Sequence, residues 1–150
     1  MAKKENQRMV SFDTAVKRFW QKYAIFNGVA QRSEYWFAVL FVFLGSVVCT
    51  VFGDLVAMKT LFSGVWSVIT VIPGQSMLSR RLHDAGFSAK WLLALWANIL
   101  LFWAVVPLGR AAPVFAVLMS LTSFVTVVLG VFMFVASVLP SKFKNNPYRR

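Results

Sequence analysis

The chain has 150 residues, of which 59% are hydrophobic and only 14% are charged, and its mean hydropathy is +0.67. Soluble domains carry about 25% charged residues, so this composition excludes an ordinary soluble protein and indicates a single-domain integral membrane protein. Sixteen basic and five acidic residues give a formal net charge of +11. Because the basic residues lie between long apolar stretches and not along one polar face, nucleic acid is not an expected partner.

Neither a disulfide nor a metal site is expected. Cys49 is the single cysteine and His83 the single histidine, so the chain offers no intrachain disulfide and no zinc ligand set. Residues 1–32 have no apolar run directly after their charges and no small-residue cleavage site, which does not resemble a secretory signal. We expect this segment to remain in the protein, and we expect no cofactor.

The first predicted element is an amphipathic helix over residues 11–27, which Asn27-Gly28 would end. Apolar side chains recur at helical spacing along one face of this segment. They are Phe12, Val16, Phe19, Tyr23 and Phe26, with the basic Lys17, Arg18 and Lys22 largely beside them. Two interpretations stay open: the helix lies in the headgroup region among anionic lipids, or it packs on the cytoplasmic ends of the other helices.

Four apolar stretches predict transmembrane helices over residues 35–53, 61–78, 91–108 and 112–139. In the first span, Gly45, Cys49 and Gly53 recur every four residues and predict the close approach of another helix. In the second, Pro73 predicts a kink, with a neighbouring hydroxyl or a water satisfying the carbonyl that proline leaves unpaired. The predicted fold is therefore an all-α, four-span membrane protein with an N-terminal interfacial helix.

Two sets of small or polar residues lie inside these spans. Asn98, well inside the third span, predicts an interhelical hydrogen bond, and a substrate contact is the alternative. A stripe of small residues along the fourth span is interpreted as a packing face or, if several subunits assemble, as the lining of a pore. This stripe comprises Ser123, Thr126, Gly130 and Ser137.

Residues 79–90 interrupt the apolar pattern and predict a polar cytoplasmic loop between the second and third spans. A charged side chain costs about 2.5–3.5 kcal/mol at the centre of a bilayer, so such residues mark a membrane surface. The ionisable residues of this stretch are Arg80, Arg81, His83, Asp84 and Lys90.

The distribution of basic residues predicts the orientation of the chain. Four spans place the N-terminal segment, the 79–90 loop and the C-terminal tail on one side of the membrane. The basic residues of that side are Lys3, Lys4, Arg8, Lys17, Arg18, Lys22, Arg32, Arg80, Arg81, Lys90, Lys142, Lys144, Arg149 and Arg150, against Lys59 and Arg110 on the other side. Because cytoplasmic loops are enriched in lysine and arginine, both termini are predicted to be cytoplasmic.

Two motifs carry a resemblance to a known family. The chain reads Arg-Ser-Glu-Tyr-Trp at 32–36 and Arg-Arg-Leu-His-Asp at 80–84, with Trp91 and a closing Asn-Pro-Tyr at 146–148. This pattern resembles the domain of unknown function 805 family of small bacterial inner-membrane proteins. The resemblance implies a four-span protein of the bacterial cytoplasmic membrane, and it implies no particular biochemical activity.

A candidate cluster for contact with lipid or with a protein partner follows from the same motifs. It comprises Arg32, Glu34, Arg80, Arg81, His83 and Asp84. The plain interpretation is an ion pair between Glu34 and the arginines, which would fix how two helices meet. In the alternatives, Arg80 and Arg81 hold a lipid phosphate, or His83 titrates against Asp84 as a proton relay.

Catalysis is not expected, because no base stands beside a nucleophile and no paired carboxylates occur. The sequence favours a structural or regulatory membrane module whose cytoplasmic basic cluster contacts anionic lipid headgroups or a cytoplasmic protein. An oligomeric channel or holin-like pore is the alternative, so association with further copies of the chain stays open.

Overall fold

The computed structural model describes residues 9–107, 113–143 and 146–148, and all regular structure in these ranges is helical. It contains α1 (Phe12–Gln21), α2 (Arg32–Leu55), α3 (Lys59–Ala85), α4 (Lys90–Val105) and α5 (Pro113–Val138). The prediction of an all-α protein is confirmed. Part of the topology argument lies outside the described residues, namely Lys3, Lys4, Arg8, Arg110, Lys144, Arg149 and Arg150.

Within the described ranges, three helices, α2, α3 and α5, are long and apolar enough to cross a membrane, which is compatible with a multi-pass membrane protein. The prediction of four such helices was wrong for the third span. α4 is apolar but has 16 residues, fewer than the about 20 that cross the hydrocarbon core. It ends at Val105, two residues before Pro107, which lacks the backbone N–H that a further helical turn would use.

The polar loop is shorter than predicted, because α3 continues through Ser79–Ala85 and only residues 86–89 join α3 to α4. Gly86 ends α3 in the left-handed conformation, with φ at 88°. Its N–H donates to the His83 carbonyl at 3.0 Å, and the Phe87 N–H donates to the Leu82 carbonyl at 2.9 Å. This pair of bonds is the Schellman motif, in which glycine adopts a backbone conformation that other residues rarely adopt.

The first helix is also shorter than the predicted 11–27, since α1 ends at Gln21. It buries Ala15 and Phe19, and it packs on α2 and α3. Of its basic side chains, Lys17 stays exposed. Packing on the helix ends is thus observed, and contact with a lipid surface stays a prediction.

α2 and α3 approach each other closely at the predicted small residues. A Cβ at Gly45 would overlap the indole ring of Trp66, and one at Gly53 would press on the backbone of Lys59. The Trp66 Nε1 donates to the Val42 carbonyl at 3.2 Å and to Ser46 Oγ at 3.1 Å, bonding α3 to α2. The predicted close approach is confirmed at Gly45 and Gly53.

Pro73 lies buried inside α3. Because proline has no N–H, the carbonyl four residues earlier, that of Ile69, loses its helical donor. The Tyr23 hydroxyl supplies the missing bond and donates to the Ile69 carbonyl at 2.9 Å. The expectation that a neighbouring hydroxyl satisfies this carbonyl is confirmed, and the bond also ties the segment after α1 to α3.

α4 packs on α5, and Asn98 joins the two helices. Its Nδ2 donates to the Thr122 carbonyl at 3.0 Å and to Thr126 Oγ1 at 2.7 Å, so the predicted interhelical hydrogen bond is present. The small-residue stripe of α5 divides between two environments. Ser137 is buried and Thr126 is half-buried, whereas Ser123 and Gly130 are exposed.

Replacing Asn98 by leucine is expected to lower the free energy of unfolding by about 0.6–2 kcal/mol, the range for interhelical hydrogen bonds in membrane proteins. The measurement is unfolding in mixed detergent micelles, followed by tryptophan fluorescence. Ser123→Ala on the exposed side of α5 is the control and should change the stability little. Equal effects of the two substitutions would contradict a specific role for the Asn98 bonds.

Candidate functional site

The last three turns of α3 carry a run of buried polar side chains. They are Ser76, Ser79, Arg80, Arg81, His83 and Asp84, each at most 7% exposed. Residues three and four apart share one face of a helix, so this run divides between two faces. Each face fastens a different part of the chain, and together these parts form what we call the polar end of the bundle: residues 12–34, 76–92, 137–143 and 146–148.

The first face holds the segment between α1 and α2. Ser76 Oγ donates to the Lys22 carbonyl at 3.0 Å, and Ser79 Oγ donates to the Phe26 carbonyl at 2.9 Å. His83 Nδ1 donates to the Gly28 carbonyl at 3.1 Å. The Lys22 carbonyl also accepts from the Ile25 N–H at 3.2 Å, whereas the Phe26 and Gly28 carbonyls lie in a non-helical segment and need donors from elsewhere in the fold. The sequence predicted that the first helix continues to residue 27. In the structure α1 ends at Gln21, and the polar side chains of α3 bond to carbonyls of the non-helical residues that follow it.

The second face holds the last turn of α5 and the segment that follows it. Arg81 donates from Nε to the Ser137 carbonyl at 3.0 Å and from Nη2 to the Leu139 carbonyl. Its Nη1 donates to Asp84 Oδ2 at 2.7 Å, and Ser141 Oγ donates to the same carboxylate oxygen. Both side chains of this ion pair are fully buried. Breaking one partner of such a pair leaves an uncompensated charge in a low-dielectric environment.

The same C-terminal segment caps α3. The Lys142 N–H donates to the Asp84 carbonyl at 2.8 Å, and Asn146 Nδ2 donates to the His83 carbonyl at 2.8 Å. The last carbonyls of a helix have no donor within it, so the Lys142 N–H satisfies the Asp84 carbonyl, and Asn146 gives the His83 carbonyl a second donor beside the Gly86 N–H. Tyr148 stacks on the His83 imidazole, with ring centroids 3.9 Å apart and planes inclined by 13°.

Glu34 lies between two arginines at the start of α2. Arg18 Nη1 donates to its Oε2 at 3.0 Å, and Arg80 Nη1 lies 3.7 Å from its Oε1. The predicted ion pair with Arg80 is therefore present, but the pair is too long for a hydrogen bond. Within the part of the chain that the structure describes, Arg80 Nη1, Arg80 Nη2 and Glu34 Oε1 have no hydrogen-bond partner.

The residues of the candidate cluster predicted from the sequence differ in their burial and in their partners. Arg80 and Arg81 are 1% and 0% exposed, so neither reaches a lipid headgroup in this conformation, and the lipid-phosphate interpretation of these two residues does not fit. Asp84 pairs with Arg81 and not with His83. Arg32 is the exposed member of the cluster, and its Nη1 lies 3.5 Å from the Val138 carbonyl.

A cavity of about 1060 Å³ lies between α3 and α4 at the polar end. Its outer part is lined by polar groups, including His83, Ser88, Lys90 and Tyr148. Its inner part is lined by apolar side chains of both helices, among them Ile72, Leu93 and Trp96. A hydrogen bond from Trp96 Nε1 to Gln75 Oε1, at 3.3 Å, links α4 to α3 beside this inner part.

Sequence reasoning missed several residues of this end. It assigned no structural role to Ser76 and Ser79, and it treated Asn146 and Tyr148 only as part of a motif. A signal was available for the serines, because Ser76, Ser79, Arg80 and His83 recur at helical spacing along one face. No local signal points from Asn146 or Tyr148 to α3, since these contacts join residues more than 60 positions apart.

No curated protein and no solved structure matches the chain. A family model described as "protein of unknown function (DUF805)" matches residues 23–150, which include α2 to α5, both arginine motifs and the closing Asn-Pro-Tyr. The resemblance noted from the motifs is therefore confirmed. The buried contacts of Glu34, Arg80, Arg81, Asp84 and Asn146 all fall within the matched residues, and the chain belongs to the DUF805 family of proteins of unknown function.

Proposed function

We propose that this protein is a structural or regulatory module of the bacterial inner membrane, without catalysis, whose polar end binds anionic lipid headgroups. The observation that carries this proposal is the charge left exposed once the buried pairs are formed. The exposed or half-buried lysines and arginines of the polar end are Lys17, Arg18, Lys22, Arg32, Lys90 and Lys142. Asp13 is the exposed acidic residue of the same described region.

The proposed topology has four spans with both termini in the cytoplasm. It takes α4, the third span in chain order, as a further crossing in addition to α2, α3 and α5. The hydrogen bonds from α3 hold the segment before α2 and the segment after α5 at the same end of the bundle. At the far end, Lys59 pairs with Asp54 at 3.3 Å, so the described positive charge is concentrated at the polar end. This asymmetry supports a cytoplasmic polar end.

The position of α1 supports the lipid contact. The helix buries Ala15 and Phe19 against the bundle, and it leaves Trp20 and Lys17 exposed on adjoining parts of its surface. An aromatic ring beside a lysine suits the headgroup region, where the ring meets acyl carbons and the ammonium group meets phosphate. A cytoplasmic protein partner is the alternative occupant of the same surface.

The oligomeric channel or holin-like pore is the other candidate function. It requires Ser123, Thr126, Gly130 and Ser137 to face a common lumen. Thr126 accepts a hydrogen bond from Asn98 and Ser137 is buried within the chain, whereas Ser123 and Gly130 are exposed. Because Thr126 and Ser137 are already engaged within the single chain, the four residues are not all free to line a lumen, and we favour the membrane module.

The test measures how many anionic lipids the purified protein retains. We would reconstitute the full chain in bilayers of phosphatidylglycerol and phosphatidylethanolamine, extract it in mild detergent and count bound lipids by native mass spectrometry. The triple variant Lys17→Gln/Arg32→Gln/Lys142→Gln should retain several-fold fewer phosphatidylglycerol molecules, and raised salt should have a similar effect. Lys59→Gln at the far end is the control. Unchanged retention in the triple variant would contradict the proposal.

A further inference from the structure

We infer that the cavity between α3 and α4 is a binding site for one anionic phospholipid, with the phosphate at Lys90 and an acyl chain beside Ile72, Leu93 and Trp96. The inference rests on the membrane placement given under the proposed function. It concerns one of those exposed basic residues, Lys90, together with the apolar side chains that line the cavity, and a single bound molecule instead of a shell of surface lipid.

Polar and apolar groups line different parts of the cavity. Ser88 and Lys90 lie at the start of α4, whereas Leu93 and Trp96 lie further along the same helix. At about 1.5 Å per residue, Trp96 is about 9 Å deeper than Lys90 along the helix axis. The cavity therefore changes from polar to apolar over about the distance that separates a phosphate from the first part of an acyl chain.

The charge of the cavity lining is complementary to that of an anionic ligand. Lys90 is the cation among the lining residues, and no aspartate or glutamate side chain lines the cavity within the described chain. The nearest buried carboxylate on α3, that of Asp84, is held by Arg81 and Ser141 on the other face. A lysine with no opposing carboxylate favours an anionic group at the mouth of the cavity.

The volume of the cavity and the exposure of its apolar lining also suit a lipid. A volume of about 1060 Å³ lies just above the about 300–1,000 Å³ that small-molecule pockets occupy. Among the apolar lining residues, Ile72 is 43% exposed and Leu93 is 70% exposed. These side chains lie on helices placed in the membrane, so the cavity is open sideways towards the acyl region. A lipid can therefore enter without crossing water.

The experiment determines lipid binding to the full chain by native mass spectrometry in mild detergent, with phosphatidylglycerol and phosphatidylethanolamine as the probes. The wild type should retain one phosphatidylglycerol more tightly than any further lipid. Lys90→Gln removes the cation and should weaken phosphatidylglycerol by roughly tenfold, the equivalent of one charge-assisted hydrogen bond, with little change for phosphatidylethanolamine. Leu93→Trp fills the inner part and should weaken both lipids.

Leu100→Trp is the matched control for bulk, because Leu100 is 66% exposed on the same helix and does not line the cavity. Lys90 and Leu93 are both exposed, so neither substitution removes a buried contact, and thermal unfolding of each variant in detergent verifies this. The inference is overturned if Lys90→Gln keeps the full preference for phosphatidylglycerol, or if Leu93→Trp and Leu100→Trp behave alike. A dimer that Leu93→Trp dissociates would also overturn it, by showing a second copy in the cavity.

The two proposals fail separately. Loss of surface lipid in the Lys17→Gln/Arg32→Gln/Lys142→Gln variant, with the single tight lipid retained, supports both sites as distinct. If that triple variant retains all its lipid while Lys90→Gln loses the tight one, the surface proposal fails and the cavity inference stands. If Lys90→Gln alone has no effect, only the cavity inference fails.

Discussion

Replacing Arg81 by methionine is expected to lower the free energy of unfolding by about 3–5 kcal/mol, the usual cost of removing one partner of a buried ion pair. The substitution leaves the Asp84 carboxylate buried without its counter-charge, and it takes the donors from the Ser137 and Leu139 carbonyls. The measurement is unfolding in mixed detergent micelles, followed by tryptophan fluorescence. Limited proteolysis should also cut the segment after α5 faster, because Arg81 fastens that segment to α3.

Arg80→Met is the matched control, since Arg80 is the adjacent residue and equally buried. Two of its guanidinium nitrogens make no hydrogen bond within the described chain, and Glu34 keeps its bond to Arg18 when Arg80 is removed. We therefore expect Arg80→Met to cost at least about 2 kcal/mol less than Arg81→Met. Similar costs for the two variants would show that hydrogen bonding does not distinguish these arginines.

Replacing Glu34 by glutamine should also be strongly destabilising, by about 3 kcal/mol, because it leaves the buried Arg80 guanidinium without a carboxylate nearby. Glutamine has almost the same shape as glutamate, so the expected loss reflects charge and not packing. The informative measurement is the double variant Glu34→Gln/Arg80→Met. It should be more stable than Glu34→Gln alone, because the second substitution removes the uncompensated cation.

The double-mutant cycle gives the coupling energy between Glu34 and Arg80 directly. A coupling that favours the double variant by about 1 kcal/mol or more would confirm that Arg80 depends on this carboxylate. If the two substitutions are simply additive, the 3.7 Å contact contributes nothing and Arg18 is the effective partner of Glu34. Asp54→Asn, in the exposed pair with Lys59, is the control and should change stability by less than about 1 kcal/mol.

These contacts assign a structural role to the Arg-Arg-Leu-His-Asp motif. Its side chains hold the segment before α2 on one face of α3 and the segment after α5 on the other. Most of the charged motif is consequently withdrawn from the surface. The exposed basic residues that remain around it, and the cavity that His83 lines, are the parts of the polar end that can meet a lipid or a partner.

Composition and local pattern were sufficient to predict the all-α class and the presence of helices long and apolar enough to cross a membrane. A segment in lipid must satisfy its own backbone hydrogen bonds, so long apolar stretches such as those of α2 and α5 have to be helices. Local rules also anticipated the close approach at Gly45 and the need of the carbonyl before Pro73 for a hydroxyl. Each of these conclusions depends on residues within about one or two helical turns.

Only the tertiary structure decided what the charged residues do. Arg80 and Arg81 are neighbours in sequence but point about 100° apart around a helix, so they meet different parts of the chain. Arg81 Nε donates to the carbonyl of Ser137, which is 56 positions away in the sequence. Nothing in the sequence around Ser137 predicts a hydrogen bond to α3. The continuation of α3 to Ala85 was not predicted for the same reason. Its last turns carry four ionisable residues, and the groups that pair with them lie mostly in distant parts of the chain. The cavity between α3 and α4 exists because α4 packs on α5. Which helix α4 packs on depends on the shapes of side chains along three helices, and no local sequence pattern specifies this.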